Sequence, residues 1–186
     1  MSFVHFQVIS AYSLLQTTTR IEDLVRSAKA KGYQAIALTD QNVLYGQVDF
    51  FKLCKKYAIQ PILGIQLDLP GIISKDRTFP LVLLAKDFEG YKKLMALSTV
   101  RNQDASDREL LSLLEDDSSR IIAITPGEKG EIESFLNGND QENAKAASLA
   151  WKKIFTHGNF YLGVQLHEKM KPIIPGLKRL SQATNI

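Results

Sequence analysis

Apolar residues recur along this chain with two alternating spacings. From Phe3 to Ile9 the pattern has the period of two expected of a strand, placing His5, Gln7 and Ile9 on one face and Val4, Phe6 and Val8 on the other. The spacing then changes. Ile21, Leu24, Val25 and Ala28 fall at i, i+3, i+4 and i+7, which predicts a helix from about Arg20 to Lys31, preceded by capping threonines and stopped by Gly32. The run Ala35-Ile-Ala-Leu-Thr39 is almost wholly apolar, as expected of a strand covered on both faces. A second helix, about Tyr45 to Ala58, is predicted to bury Phe50, Phe51, Cys54, Tyr57 and Ala58, leaving Lys52, Lys55 and Lys56 on its wet face.

Further strands are predicted at Pro61–Leu69, Pro80–Ala85, Ile121–Thr125 and Phe160–Leu166. Between them lie a polar loop from Pro70 to Phe79 and a helix capped by Asp87, with Phe88, Tyr91, Leu94, Met95 and Ser98 on one face. A break follows over residues 102–107, then short helices around Leu110–Leu114 and Ile132–Leu136. A longer helix, Gln141 to Phe155, turns Ala144, Ala147, Trp151, Ile154 and Phe155 inward, and a last one covers Leu177–Gln182. Six strands alternating with helices predict an α/β fold with a parallel sheet, either an open doubly wound sheet or a barrel. A complete eight-stranded barrel typically takes about 250 residues. The pattern stops after a helix, where another strand is expected, so the chain reads as one domain over 1–186 lacking its closing elements.

Composition narrows the function classes. The chain has 186 residues, enough to bury roughly 70% of its unfolded surface. Its net charge of +3 is spread along the sequence, unlike the clustered footprint of a dedicated nucleic-acid module. The single cysteine, Cys54, excludes a disulfide framework. No apolar run approaches the ~20 residues of a membrane span, and Met1-Ser-Phe-Val-His5 lacks a signal peptide's basic start, so a cytoplasmic protein without membrane contact is expected. No Walker loop, dinucleotide fingerprint, zinc-finger spacing or nucleophile elbow appears.

Candidate chemistry centres on Thr39-Asp40-Gln41-Asn42, at the carboxyl end of a predicted strand, where β/α folds place ligands. That stretch also carries a family likeness. Phe3-Val-His-Phe-Gln-Val-Ile-Ser-Ala-Tyr-Ser-Leu-Leu15, Ala37-Leu-Thr-Asp-Gln-Asn-Val-Leu-Tyr-Gly46, Pro61-Ile-Leu-Gly-Ile-Gln66, Leu81-Val-Leu-Leu-Ala-Lys86 with Gly90-Tyr91, and Ile121-Ile-Ala-Ile-Thr-Pro-Gly-Glu-Lys-Gly130 together resemble the PHP domain (polymerase and histidinol phosphatase) that opens bacterial DNA polymerase III α subunits. The likeness is to the DnaE type of low-GC Gram-positive bacteria. It implies a distorted β/α barrel of the (β/α)7 type, here truncated before its last strand or strands.

The resemblance also implies a site: a ring of His, Asp, Glu and Cys that holds divalent metals and hydrolyses phosphate esters, a reaction slow enough uncatalysed to call for metal-stabilised charge and activated water. Position by position, that ring is rewritten here. The family's His-x-His becomes Gln7-Val8-Ile9, and the Asp after Tyr-Ser-Leu-Leu becomes Gln16. The His of Thr-Asp-His becomes Gln41, the third-strand Glu becomes Gln66, and the His opening the fourth strand becomes Pro80. A further His becomes Asn102, and the Cys after the fifth strand falls on Gly127; His5 and Asp40 are kept. Isoleucine, proline and glycine offer no ligand, and neutral amides do not supply the charge of histidines, carboxylates and thiolate around transition metals. The expectation is a vestigial pocket with no catalytic or metal-binding residue and no resident cofactor. Zn²⁺ or Mn²⁺ enters only if the site is active after all, and Mg²⁺ belongs to the parent polymerase.

Plainer readings stand beside these. Asp40 suits a turn or a cap ahead of the second helix, and His5 a hydrogen-bonded strand histidine. Gln7, Gln41 and Gln66 either bond one another or face water. Trp151 and Cys54 suit the core, His157 and His167 solvated loops. Three functions compete: a silent PHP module packing on the thumb and palm of a replicative polymerase, which alone contacts DNA; a phosphoesterase or 3′–5′ proofreading exonuclease with a rearranged site; and a docking module for an exonuclease or other replisome subunit.

Overall fold

The computed structural model describes residues 3–103 and 106–186. Residues 1 and 2 of the expected uncharged start, and 104 and 105 of the expected break, lie outside the described residues. Among the described residues, five strands form one sheet in the order β1 (Ala35–Leu38), β2 (Gln60–Pro70), β3 (Thr78–Ala85), β4 (Ile121–Ile124) and β5 (Phe160–Tyr161). Around them, among the described residues, lie helices α1 (Ile21–Ala30), α2 (Gln47–Lys56), α3 (Phe88–Asn102), α4 (Asp107–Asp116), α5 (Glu131–Asn137), α6 (Gln141–Ile154) and α7 (Ile174–Thr184). The class is α/β, but the sheet is mixed rather than parallel. β1–β2 and β4–β5 pair parallel, whereas β2–β3 and β3–β4 pair antiparallel. The chain between β2 and β3 is too short for a crossover and closes a hairpin instead. Two helices, α3 and α4, separate β3 from β4, returning the chain to the end that β3 left.

Helix caps follow local chemistry. Asp87 accepts the Gly90 N–H, Asp140 accepts the Asn143 N–H, and Ser106 with Glu109 forms a capping box. Strand alternation splits the apolar residues among three clusters, two outside the sheet and one within it. Leu81 and Leu83 of β3, with Ile65 and Leu67 of β2, pack outward against Leu94, Leu114, Ala147 and Phe155 of the helices. Ile36 and Leu38 of β1 join Val25, Phe50 and Cys54 of α1 and α2. Their strand neighbours Ala37, Val82 and Leu84 point the other way and form an inner core with Ile62, Ile122 and Ile124. Gln47, buried on α2, donates to the carbonyls of Leu38 and Gly64 and pins that helix across β1 and β2.

Two predicted strands fall short, for one shared reason. Residues 5–8 run beside β1, but Ala37 N–H donates to the His5 carbonyl and Thr39 N–H to that of Val8, so three residues oppose two. The Thr39 hydroxyl fills the gap, accepting from Val8 N–H at 2.9 Å and donating to its carbonyl at 3.0 Å. The extra residue breaks the ladder as a bulge does. Beyond β5, Gly163 N–H bonds the Thr125 hydroxyl at 2.8 Å rather than a backbone carbonyl. A β-carbon on Gly163 would lie 2.1 Å from the Thr125 carbonyl oxygen, so that approach requires glycine. Phe51, expected inside, is 43% exposed beneath the Lys55 ammonium, 5.3 Å from its ring centroid.

Candidate functional site

The two flanks of the sheet meet above the inner core. Gly64, Gln66 and Asp68 of β2 face inward opposite Leu84, Val82 and Pro80 of β3, so the inner face turns from apolar to polar toward the mouth. There Gln7 bridges the flanks. Its Nε2 donates to Gln66 Oε1 at 2.8 Å, and its Oε1 accepts from Gln165 Nε2 at 2.8 Å. Gln165 Nε2 also donates to the Pro126 carbonyl at 3.0 Å. Residues from both ends of the chain thus close the sheet toward a barrel.

A second amide chain runs alongside. Gln16 Nε2 donates to Gln41 Oε1, and Gln41 Nε2 donates to Asp68 Oδ2 at 2.8 Å. Asn42 holds Asp68 in place, giving its Nδ2–H to Oδ2 and taking the Asp68 N–H on Oδ1. Asn102, at the end of α3, donates to the Asn42 carbonyl at 2.8 Å and supports this turn from outside. Gln7, Ile9, Gln16, Gln66 and Gln165, with Pro126, Glu128 and Lys129, line a cavity of about 270 Å³. Glu128 pairs with Lys169 at 3.1 Å on its rim.

The other singled-out residues lie around this cavity or away from it. Gly127 (φ +83) passes against the Gln165 side chain, and Pro80 sits beside Asp68 on β3. Asp40 is neither a helix cap nor a turn former. It is 1% exposed and accepts three bonds, from Ser10 N–H at 2.6 Å, Ser10 Oγ at 2.8 Å and Ser13 Oγ at 2.7 Å. Gly46 occupies the start of α2 with no side-chain cap. His5 stands apart from the cavity, with Nε2 3.1 Å from the Tyr33 hydroxyl, in a hollow shared with Val8 and Leu24. The extra residue between His5 and Val8 is the cause. It reverses side-chain parity, so His5 and Val8 face the helices while Gln7 and Ile9 face the cavity.

Sequence reasoning missed Gln165 and Asp68. Asp68 was legible in principle, two residues beyond Gln66 on one strand face; Gln165 was not, because only closure of the sheet brings it to Gln7. It also missed two buried glutamates behind the mouth. Glu131 accepts the N–H groups of Ile72, Ile73 and Ser74 at 2.9–3.1 Å, fastening the β2–β3 loop. Glu133 is fully buried; Thr125 Oγ1 donates to its Oε1, and its Oε2 has no partner among the described residues. Burial pushes its carboxyl up to about 7, the Thr125 bond opposing the shift.

A family model, PHP domain, matches residues 5–167. The chain belongs to the PHP domain family. This PHP domain is 41% identical over 186 residues to the DNA polymerase III subunit alpha of Bacillus subtilis (strain 168), covering 100% of this chain and 17% of the relative. It is 31% identical over 177 residues to the subunit of the same name from Halalkalibacterium halodurans, covering 92% of this chain and 15% of that one. An error-prone DNA polymerase from Symbiobacterium thermophilum is 32% identical over 202 residues, covering 98% and 18%. The chain therefore spans about a sixth of the length of these relatives.

The metals implied by the family do not fit this donor set. Among the described residues no three His, Cys, Asp or Glu side chains converge on a point. The amide oxygens of Gln7, Gln41 and Gln66 already accept from neighbouring amides, leaving neutral, occupied acceptors where charged donors would be needed. No described helix is long and apolar enough to cross a membrane.

Proposed function

We propose that this PHP domain is a non-hydrolytic module of a DNA polymerase III α subunit, acting as a packing platform for the thumb and palm of the parent chain. The observation that carries this reading is the amide network itself. Gln7, Gln66 and Gln165 hydrogen-bond one another across the barrel mouth, so the ring stabilises the closed sheet where a hydrolytic relative would hold cations. Nucleotidyl transfer, with its Mg²⁺ and its primer–template contacts, belongs to other parts of the parent protein, which works in the cytoplasm. Exposed Leu14, Leu15, Tyr45 and Leu166 suit a module that packs within a larger assembly and meets replisome subunits there.

Metal analysis and hydrolysis assays test this together. After incubation with Mn²⁺ and Zn²⁺ and desalting, the purified protein is expected to retain well under one metal per chain, and neither to cleave a chromogenic phosphate ester nor to shorten 3′-labelled DNA. Retention of about one or more metals per chain, with hydrolysis abolished by chelation, would make it a phosphoesterase or proofreading exonuclease instead.

A further inference from the structure

The direction of each hydrogen bond in the two amide chains is set by a group that can only accept. Pro126 offers a carbonyl, so the Gln165 atom facing it is nitrogen; Gln7 must then meet that nitrogen with its oxygen and turn its own nitrogen to Gln66 Oε1. Among the described residues, Gln66 Nε2 is left without a partner. Asp68 plays the same part in the second chain: Gln41 turns nitrogen to the carboxylate and oxygen to Gln16 Nε2, leaving Gln16 Oε1 without a partner among the described residues. Gln66 is only 7% exposed and lines the cavity. Among the described residues, the side chains lining the cavity thus include one unpaired N–H donor, on Gln66, and one unpaired carbonyl acceptor, on the exposed Gln16, in orientations the network dictates.

The remaining surroundings say what would use that pair. Lining the same cavity, Ile9 and Pro126 present apolar surface, the Glu128 carboxylate is paired with Lys169, and Lys129 contributes an ammonium. A space of about 270 Å³ takes one small ring. We propose that this cavity binds a neutral planar imide, the edge presented by thymine or uracil, with an imide carbonyl accepting from Gln66 Nε2 and the adjacent ring N–H donating to Gln16 Oε1. Free nucleosides and unpaired bases of single-stranded DNA share this edge.

The test is an NMR titration of the protein, following glutamine side-chain amide resonances, with thymidine, 3-N-methylthymidine and a short oligothymidylate. Thymidine is expected to bind saturably and to shift the Gln66 and Gln16 amide signals. Methylating N3 removes the donor and is expected to weaken binding at least tenfold, because a site built to pair an N–H leaves its own acceptor unpaired with the analogue. Gln66→Met should weaken thymidine at least tenfold; Gln16→Met, on an exposed loop where folding is not at stake, should do likewise. Binding of the oligothymidylate alone, lost when its bases are N3-methylated, would support the same edge recognition with strand DNA as the source. Absence of binding by both ligands up to about 10 mM, or equal binding of the methylated nucleoside, would overturn the proposal.

Discussion

Gly127 leaves the space that Gln165 fills: a β-carbon at Gly127 would lie 2.8 Å from both Cδ and Oε1 of Gln165. The backbone of Gly127 also sits at φ +83, where other residues are strained. The position aligned with the family's cysteine is therefore committed to seating an amide. Gly127→Ala should destabilise the protein by about 1–3 kcal/mol. Gly138→Ala is the control, since Gly138 has φ −80 and its nearest neighbour lies at an ordinary 3.5 Å; it should be neutral or stabilising by a few tenths, roughly up to 1 kcal/mol. Urea midpoints at unchanged slope measure both.

Glu133 makes stability fall as pH rises. Its carboxyl goes from about 4.5 unfolded to about 7 folded, so the folded state holds the extra proton between those values. The contribution is fully present below pH 4.5, is lost as pH climbs through 7, and is flat above. A shift of this size corresponds to about 3 kcal/mol. Glu133→Gln should abolish this part of the pH dependence, leaving the variant more stable than the parent at pH 8. Melting temperatures between pH 5 and pH 8 check the slope; an identical slope in parent and variant would refute the assignment.

Asp40 ties the loop after residue 9 to the end of β1. Asp40→Ala leaves the buried Ser10 and Ser13 donors without their acceptor and should cost about 3–5 kcal/mol. Asp40→Asn keeps an acceptor and should cost less. A double-mutant cycle with Ser13→Ala, read by denaturant unfolding, should show the two positions coupled rather than additive.

Glu131 predicts a local effect. Glu131→Ala removes the shared acceptor of three backbone N–H groups at 72–74 and should open the β2–β3 loop to proteases, with a global cost of about 2 kcal/mol. Cleavage mapped to residues 71–77 would confirm it; unchanged digestion would exclude it.

How much of this was legible follows from the range of each signal. α1, β1, β3 and α6 were predicted close to their observed positions because apolar spacing and capping residues are local. The short ends of the first and last predicted strands were not, because Thr39 and Thr125 hydroxyls replace backbone partners there, and nothing in a threonine announces that use. At the site, Gln7, Gln16, Gln41 and Gln66 were singled out by family position and do gather at one mouth, whereas His5, matched by the same reasoning, stands with Tyr33 on another face.

The sequence by itself determined which residue types stand at the family's metal positions, and so that amides, an isoleucine, a proline and a glycine occupy them. Only the tertiary structure decided that the hairpin between β2 and β3 makes the sheet mixed, that one extra residue turns His5 away, and that Gln165 reaches Gln7 from 158 positions along the chain. The physical reason is register. Side-chain parity changes with a single inserted residue and depends on pairing between distant segments, which no local spacing encodes.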